Sequence, residues 1–577
     1  MKYPIFKLQE DLIDNLSDIV GKLGYDKEVK LETPPDEKIG DYAYPCFPIA
    51  RIVKKIPFDI AMEIKSNLPA IEGVESIEVK GAYLNFFIDK TWLISETIPL
   101  IIDMKDRYGS LDEKEEKVIV EHTSANPNGP LHVGRARNPI IGDTIARIFK
   151  TAGYKVETQF YLDDLGKQVA ILAWGVKNLK ESDIDTIEDK PDHRMVKFYQ
   201  KTYELMQENE KIEQEVDDIV RRNENGEKEI IELVKQAYTP VLEGMRESLA
   251  MLNINIDKYI PESMFVRDGS VNNVIEKLKK HCLEDNGAYY IDLKPCGIEG
   301  RNTRFYITRS DGTSLYATRD IAYHIWKAKQ GDILINILGE DHKLEAKQVE
   351  IGLKLLGEKH IPITIFYSFV SLPEGKMSTR RGRVVYLDNL IEECISRAYK
   401  EVKKRRGLEL SEDKMKEISK IIGIGALRYN IIKVQPEKDM IFRWEEALNF
   451  EGNSAPFIQY AHARASSILS KYSENQDVED IQPDYNLLSH ESEIKLVKNL
   501  AKLPIIVEEA YRNYKPHIVA SYLFETASLF NQFYRDCPVL SEENHRLKKS
   551  RLMLVEASKI VIRNGLDILG IIAPEEM

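Results

Sequence analysis

The sequence predicts an α/β protein in which a parallel-sheet domain lies between an N-terminal α+β module and a C-terminal all-α domain. Three observations lead there. A strand–loop–helix–strand run occupies residues 118–162, and further apolar, strand-like runs lie between 288 and 367. From Leu390 onward helix follows helix with no convincing strand. Residues 1–115 open with an amphipathic helix (Phe6, Leu8, Leu12, Leu16, Ile19, Val20, Leu23) and close on an apolar strand from Val79 to Ile88, bent at Gly81. The charged stretch Asp112–Lys117 marks a boundary.

The central domain, 116–388, begins with the buried-type strand Val118-Ile119-Val120 and a polar loop. A helix is predicted to open at Pro130, where a missing N–H costs nothing, and to run through Ile140, Ile141, Ile145 and Ile148 to Gly153. A strand over 156–162 completes a βαβ unit, so the sheet is expected to be parallel. Residues 175–260 are charge-rich and helical and read as an insertion between two sheet halves. Strand-like runs return at 288–293, 304–307, 333–338 and 363–367. Residues 389–577 form the all-α domain.

Composition sets limits. With 577 residues, 30% charged and 43% hydrophobic, the chain is long enough for several cores. No run of about 18 apolar residues exists, and the start lacks the apolar core of a secretory signal, so no membrane span is expected. Five scattered cysteines without CxxC spacing predict reduced thiols, a cytoplasmic setting and neither disulfides nor a metal site. The 81 basic and 94 acidic residues give −13, which first argues against a nucleic-acid partner. Residues 401–577, however, hold 25 basic and 27 acidic residues, a net of −2, and carry the basic run Arg546, Lys548, Lys549 and Arg551. Net charge here describes solubility and does not choose the partner.

Two segments carry chemistry. From Glu121 to Arg135 a strand ends, a loop of small residues turns, and a helix is predicted with His132 and Gly134 in its first turns. Free N–H groups at a helix start suit phosphate oxygens, a ring N–H of His132 adds a donor, and Gly134 leaves room for a nucleotide. The second segment, Lys376-Met377-Ser378-Thr379-Arg380-Arg381-Gly382-Arg383, is a basic loop able to close over a polyphosphate. Taken singly, each reads more simply as a capped helix or a solvated loop.

Together, 244 positions apart (376 − 132), the two segments resemble the signatures of class I aminoacyl-tRNA synthetases. The surrounding residues narrow the resemblance to arginyl-tRNA synthetases of the archaeal type. They are Glu121–Asn138, Tyr161–Gln168, Asp311–Ile321, Gly425–Tyr429, Phe450–Arg464 and Leu569–Glu575. The resemblance covers nearly the whole chain, the 175–260 insertion least. It implies a Rossmann-type catalytic domain, a D-loop-binding N-terminal module and an anticodon-binding C-terminal domain. Its reaction would be adenylation of L-arginine by ATP with Mg²⁺, then transfer to the terminal adenosine of tRNA(Arg), by a monomer with no tightly bound cofactor.

Residue by residue, the resemblance assigns catalysis to His132, Gly134, Lys376, Ser378, Arg380 and Arg381. Arginine would be held by Glu121, Asn126, Tyr316, Asp320 and His342. Gly339, Asp341 and Met377 join His132, Gly134 and Lys376 around ATP. Tyr83 and Asn85 would meet the D-loop, and Phe457, Tyr460, Arg464 and Tyr534 the anticodon arm. The guanidinium assignment also stands on its own, because a planar fork of donors requires carboxylates placed to receive it. Two positions depart from the family: Arg135 replaces a second histidine and Thr379 a lysine, leaving Lys376, Arg380 or Arg381 to meet the pyrophosphate. Two alternatives are a related synthetase or nucleotidylyltransferase and an RNA-binding relative without turnover.

Overall fold

The computed structural model describes residues 3–36, 38–184, 190–299, 303–372, 375–376, 379–380, 383–474 and 481–577. Helix α1 (Pro4–Lys22) buries Ile5, Leu8, Leu12, Leu16, Ile19 and Val20 along one stripe. The antiparallel sheet of this module comprises β1 (Tyr42–Pro45), β2 (Val74–Lys80) and β3 (Tyr83–Ile88), in the order β1-β3-β2. Helices α2 (Phe47–Val53) and α3 (Pro57–Asn67) connect β1 to β2. The run expected as one bent strand is therefore a hairpin. Gly81, at φ +61°, takes the left-handed conformation its tight turn needs. Helix α4 (Lys90–Met104), N-capped by Asp89, leaves the module and packs against the C-terminal helices.

The central sheet is parallel. Its strands β4 (Lys117–Glu121), β5 (Lys155–Leu162), β6 (Lys258–Pro261), β10 (Ile333–Gly339) and β11 (Ile363–Tyr367) lie in the order β11-β10-β4-β5-β6. Helix α5 (Arg137–Thr151) crosses from β4 to β5, its Gly142 so close to His122 that a Cβ there would lie 2.4 Å from the histidine's own Cβ. The described residues of the insertion form four α-helices, α6 (Lys167–Asn178), α7 (Pro191–Glu208), α8 (Glu210–Glu224) and α9 (Lys228–Met251). It ends in β6, which the sequence reading missed: four residues closing on a proline look like a loop, and only an edge strand tolerates them.

After α10 (Ser263–Arg267) and α11 (Ser270–Leu278) comes a second correction. The runs at 288 and 304 do not join the parallel sheet. With β7 (Leu283–Asp285), strands β8 (Ala288–Asp292) and β9 (Arg304–Tyr306) form a separate antiparallel sheet. Asn286-Gly287, both at positive φ (49° and 84°), makes the two-residue turn, a hairpin signal that was present in the sequence. Helix α12 (Tyr316–Lys327) precedes β10, and α13 (Lys343–Leu355) joins β10 to β11.

Short strands β12 (Val370–Leu372), β13 (Gly375–Lys376), β14 (Thr379–Arg380) and β15 (Arg383–Val384) lead to α14 (Leu387–Arg406) and α15 (Glu412–Ile432). Here lies one strand the all-α expectation did not contain, β16 (Met440–Ile441), which pairs with β12. The remainder is helical: α16 (Trp444–Ala447), α17 (Ala455–Glu474), α18 (Glu491–Ala501), α19 (Leu503–Asn513), α20 (His517–Asp536) and α21 (His545–Ile568). Two fully buried arginines fasten this part to the sheet domain. Arg137, at the start of α5, donates to the carbonyls of Ser368, Lys438 and Gln435 at 2.8–2.9 Å. Arg428 on α15 donates to Leu252 O (2.7 Å), Leu569 O (2.9 Å) and the Asp143 carboxylate.

Candidate active site

Strand order places the site. From β4 the chain steps outward through β5 and β6, whereas β10 and β11 lie on the other side of β4. The direction reverses between β4 and β10, and in open α/β sheets ligands bind beyond the carboxyl ends at such a switch. A cavity of about 430 Å³ lies there. Its lining brings together Glu121, Asn126, Tyr316, Asp320, Gly339, Asp341 and His342, all seven expected around arginine or ATP except for the two signature segments. Glu121 ends β4, Asp320 stands on the first turns of α12, Gly339 ends β10, and Asp341 and His342 follow it.

The cavity is acidic. Burial raises the Asp320 carboxyl, but the hydrogen bond from His324 and the charges of Lys327 and His342 outweigh it and hold it below its usual range, so it is ionised. Burial and the neighbouring Asp163 push the Glu262 carboxyl, on the same wall, upward against the pull of the Arg319 guanidinium 3.5 Å away. A hydrogen bond to Glu345 at 2.5 Å raises His342 despite its partial burial. Among the described residues the Tyr161 hydroxyl is buried without a partner. Sequence reasoning missed Lys327, whose Nζ donates to Glu121 Oε2 at 2.7 Å. A lysine inside an apolar helix face reads as surface until the fold puts a carboxylate above it.

The first signature segment differs from expectation. The helix does not open at Pro130: residues 122–132 remain loop, Val133–Arg135 make a single tight turn, and α5 starts at Arg137. The cause is backbone pairing, since Val133 N donates to Val385 O (3.1 Å) and Leu387 N to Leu131 O (2.8 Å), holding His132 extended. His132 Nδ1 accepts the Gly134 N–H at 3.1 Å, so that amide is already engaged and the neutral ring carries its proton on Nε2. Thr123, at φ +77°, bends the chain sharply as β4 ends, and Asn138 Oδ1 holds its N–H at 2.8 Å. Beside it His122 is kept neutral, burial pushing its ring down to about 4. Arg135, where the family has a second histidine, lines the cavity.

Of the second segment, Met377, Ser378 and Arg381 lie outside the described residues. The backbones of Lys376 and Arg380 are in short antiparallel pairs with Ser371 and Arg383. The exit of the segment is the stretch that pairs with Leu131–Val133. Its anchor is Asp388, held by Lys190 Nζ (2.7 Å), His193 Nε2 (2.7 Å) and Ser248 Oγ (2.8 Å) from the insertion. Asp192, His193 and Asp388 have ligand atoms within 4.8 Å of one another, but the cation among them is the Lys190 ammonium, 3.2 Å from Asp192.

On the expected RNA faces the result is mixed. Tyr83 is exposed and packs edge-on against exposed Phe47, with ring centroids 5.6 Å apart. Asn85, two residues along the same strand, is 1% exposed beside Gly40, and among the described residues its Nδ2 has no hydrogen-bond partner. In the helical domain Phe457, Tyr460 and Arg464 line one groove of about 610 Å³ with Arg405 and Arg406. Tyr460 (41% exposed) and Tyr534 (44% exposed) flank the Arg464 guanidinium at 4.7 and 5.2 Å. Phe457 is partly buried against Phe524.

A parallel sheet with its cavity at the strand-order switch, an HxG turn beside it and a long helical C-terminal part define a class I aminoacyl-tRNA synthetase. The family described as "tRNA synthetases class I (R), catalytic domain" matches residues 97–444, the "Arginyl tRNA synthetase N terminal domain" 7–88 and the "DALR anticodon binding domain" 458–577. The chain belongs to the arginine–tRNA ligase family. It is 45% identical to the arginine–tRNA ligase of Methanococcus maripaludis, covering 98% of this chain and 99% of that one. Against the ligase of Methanothermobacter thermautotrophicus the identity is 44% and the coverage 99% of both. The solved arginyl-tRNA synthetase of Thermus thermophilus superposes with a TM-score of 0.83 at 28% identity, covering 99% of this chain and all of that one.

Proposed function

We propose that this chain activates L-arginine with ATP and transfers it to the 3′-terminal adenosine of tRNA(Arg), releasing AMP and pyrophosphate, and that the cavity between β4 and β10 is where it does so. The observation that carries this is the meeting of Asp320 and Glu121 in one cavity, below the HxG turn. The guanidinium lies against these two carboxylates, with Tyr316 and His342 closing the pocket and Asn126 at its rim. The arginine carboxylate then faces the turn, where it attacks the α-phosphorus of ATP and pyrophosphate departs. Catalysis is mostly placement and charge stabilisation. His132 offers its Nε2–H to phosphate oxygen, Gly134 keeps the turn tight, and Gly339 and Asp341 hold the nucleoside. Lys376, Met377, Ser378, Arg380 and Arg381 close over the pyrophosphate. Arg135, at the cavity wall, adds a further cation.

Magnesium enters with ATP, held by phosphates and water. Tyr83 with Phe47 meets the D-loop, and the groove of Tyr460, Arg464 and Tyr534 meets the anticodon arm. One chain carries both cavity and groove, which supports action as a monomer. The five cysteines are all unpaired, which suits the cytoplasm.

The test is charging of total tRNA with each amino acid and ATP. Arginine alone is expected to be esterified; charging with another amino acid, or with none, overturns the proposal. Asp320→Ala is expected to raise the arginine KM roughly 100-fold, about 3 kcal/mol, by leaving a buried cation unpaired, with tRNA affinity unchanged. An equal loss of tRNA affinity would move the pocket elsewhere.

A further inference from the structure

Beneath the cavity floor the two carboxylates are joined by a chain of buried side chains that do not line the cavity themselves. Lys327, 0% exposed, donates from Nζ to Glu121 Oε2 (2.7 Å) and to Asn336 Oδ1 (2.8 Å). Asn336 Nδ2 lies 2.7 Å from His324 Nε2. His324 Nδ1 lies 3.1 Å from Asp320 Oδ1 and 2.8 Å from the Asp320 carbonyl oxygen. All three relay residues are buried.

The directions of these bonds are forced from one end. An ammonium only donates, so the Asn336 atom facing Lys327 is its oxygen. The amide nitrogen therefore faces His324 and donates, so Nε2 accepts and the single ring proton sits on Nδ1. Both groups opposite Nδ1 are acceptors, which closes the chain without conflict. Two carboxylates, one ammonium and a neutral ring leave this network at −1, the complement of one guanidinium. Without the ammonium it would stand at −2, which a buried pair avoids by taking up a proton.

We infer that Lys327 is a positioning and specificity-determining residue of the amino-acid pocket: it holds the Glu121–Asp320 pair at a single net negative charge and, through Asn336, fixes His324 as the Nδ1–H tautomer facing Asp320. The inference rests on the arginine reading of the cavity. Lys327→Met keeps the length and removes the charge. Glu121 then takes up a proton and donates where it should accept, which disfavours a guanidinium and favours a ureido oxygen. Asn336→Asp leaves Lys327 a partner but removes the donor to Nε2. His324 then becomes an imidazolium between two carboxylates and competes with the substrate for Asp320.

The experiment measures arginine KM, ATP KM and inhibition by citrulline, the ureido analogue of arginine, in full-chain aminoacylation. Charging of arginine by the unmodified chain tests the proposed function; the variants test only the relay. Lys327→Met is expected to raise the arginine KM at least tenfold, to leave the ATP KM unchanged and to narrow the preference for arginine over citrulline. Asn336→Asp is expected to raise the arginine KM at least fivefold. An arginine KM within twofold of the parent in either folded variant overturns the inference. So does a Lys327→Met that loses arginine and citrulline in equal proportion, because simple loosening of the core would do that. If Lys327→Met does not fold, Asn336→Asp decides.

Discussion

Arg428 on α15 and Asp143 on α5 form an ion pair of 2.6 Å in the interior, the guanidinium fully buried and the carboxylate nearly so. The remaining Arg428 donors reach the end of the insertion at Leu252 and the C-terminal segment at Leu569. Arg147, one turn along α5, also holds Asp143 at 2.8 Å. A single residue of the helical domain is thus bonded to three separate stretches of chain.

Removing Arg428 leaves Asp143 with Arg147 alone and takes the buried donor from the Leu252 and Leu569 carbonyls, whereas removing Asp143 strands the buried guanidinium. Arg428→Met is expected to destabilise the protein by about 3–5 kcal/mol, read from denaturant unfolding. Asp143→Asn with Arg428→Met should cost less than the sum of the single changes, since no charge is then stranded.

Asp388 supplies a pH signature. Burial works against its ionisation, yet His193, Lys190 and Ser248 outweigh burial and bring the carboxyl from 3.8 to about 2. A depressed folded-state value contributes stability that is complete above the unfolded value and is lost as pH falls through the folded one. The contribution is therefore present above about pH 4 and disappears toward about pH 2, with a size of about 2 kcal/mol. Asp388→Asn should flatten that part of the acid-unfolding curve; an unchanged slope would refute the assignment.

The ring orientation of His132 predicts an order among substitutions. Its Nδ1 is occupied by the Gly134 N–H, so Nε2 is the donor. His132→Gln places an amide nitrogen near Nε2, whereas His132→Asn places it near Nδ1. In ATP–pyrophosphate exchange with arginine and tRNA present, Gln is expected to retain more activity than Asn, and Ala to lose about 10²–10³-fold. Asn above Gln would mean that the other nitrogen works.

For the helical domain, the two flanking tyrosines and the cation between them carry different energies. Tyr460→Ala is expected to weaken tRNA binding by about 1–3 kcal/mol at any salt, as lost stacking does. Arg464→Ala should instead lower the salt slope of binding by about 1, as a lost phosphate contact does. Titrating tRNA affinity at several salt concentrations separates the two.

Much of the site was legible before folding. The residues expected around arginine line one cavity because their reach follows from the strand ends and helix starts that local patterning marks. Misreadings cluster where pairing partners decide. Residues 130–136 look like a helix start until Leu131–Val133 find Val385–Leu387. The four residues of β6 become a strand only because β5 lies beside them.

By itself the sequence determined the layer order, the parallel central sheet, the family and Glu121 and Asp320 as candidate carboxylates of one site, all properties written in local spacing and residue type. Tertiary structure alone decided what those carboxylates face. Lys327 is 206 residues from Glu121, Asp143 is 285 from Arg428, and Lys190 is 198 from Asp388. No local pattern pairs charges across such separations. They meet because a buried ion needs a partner, and only the folded chain brings that partner within reach.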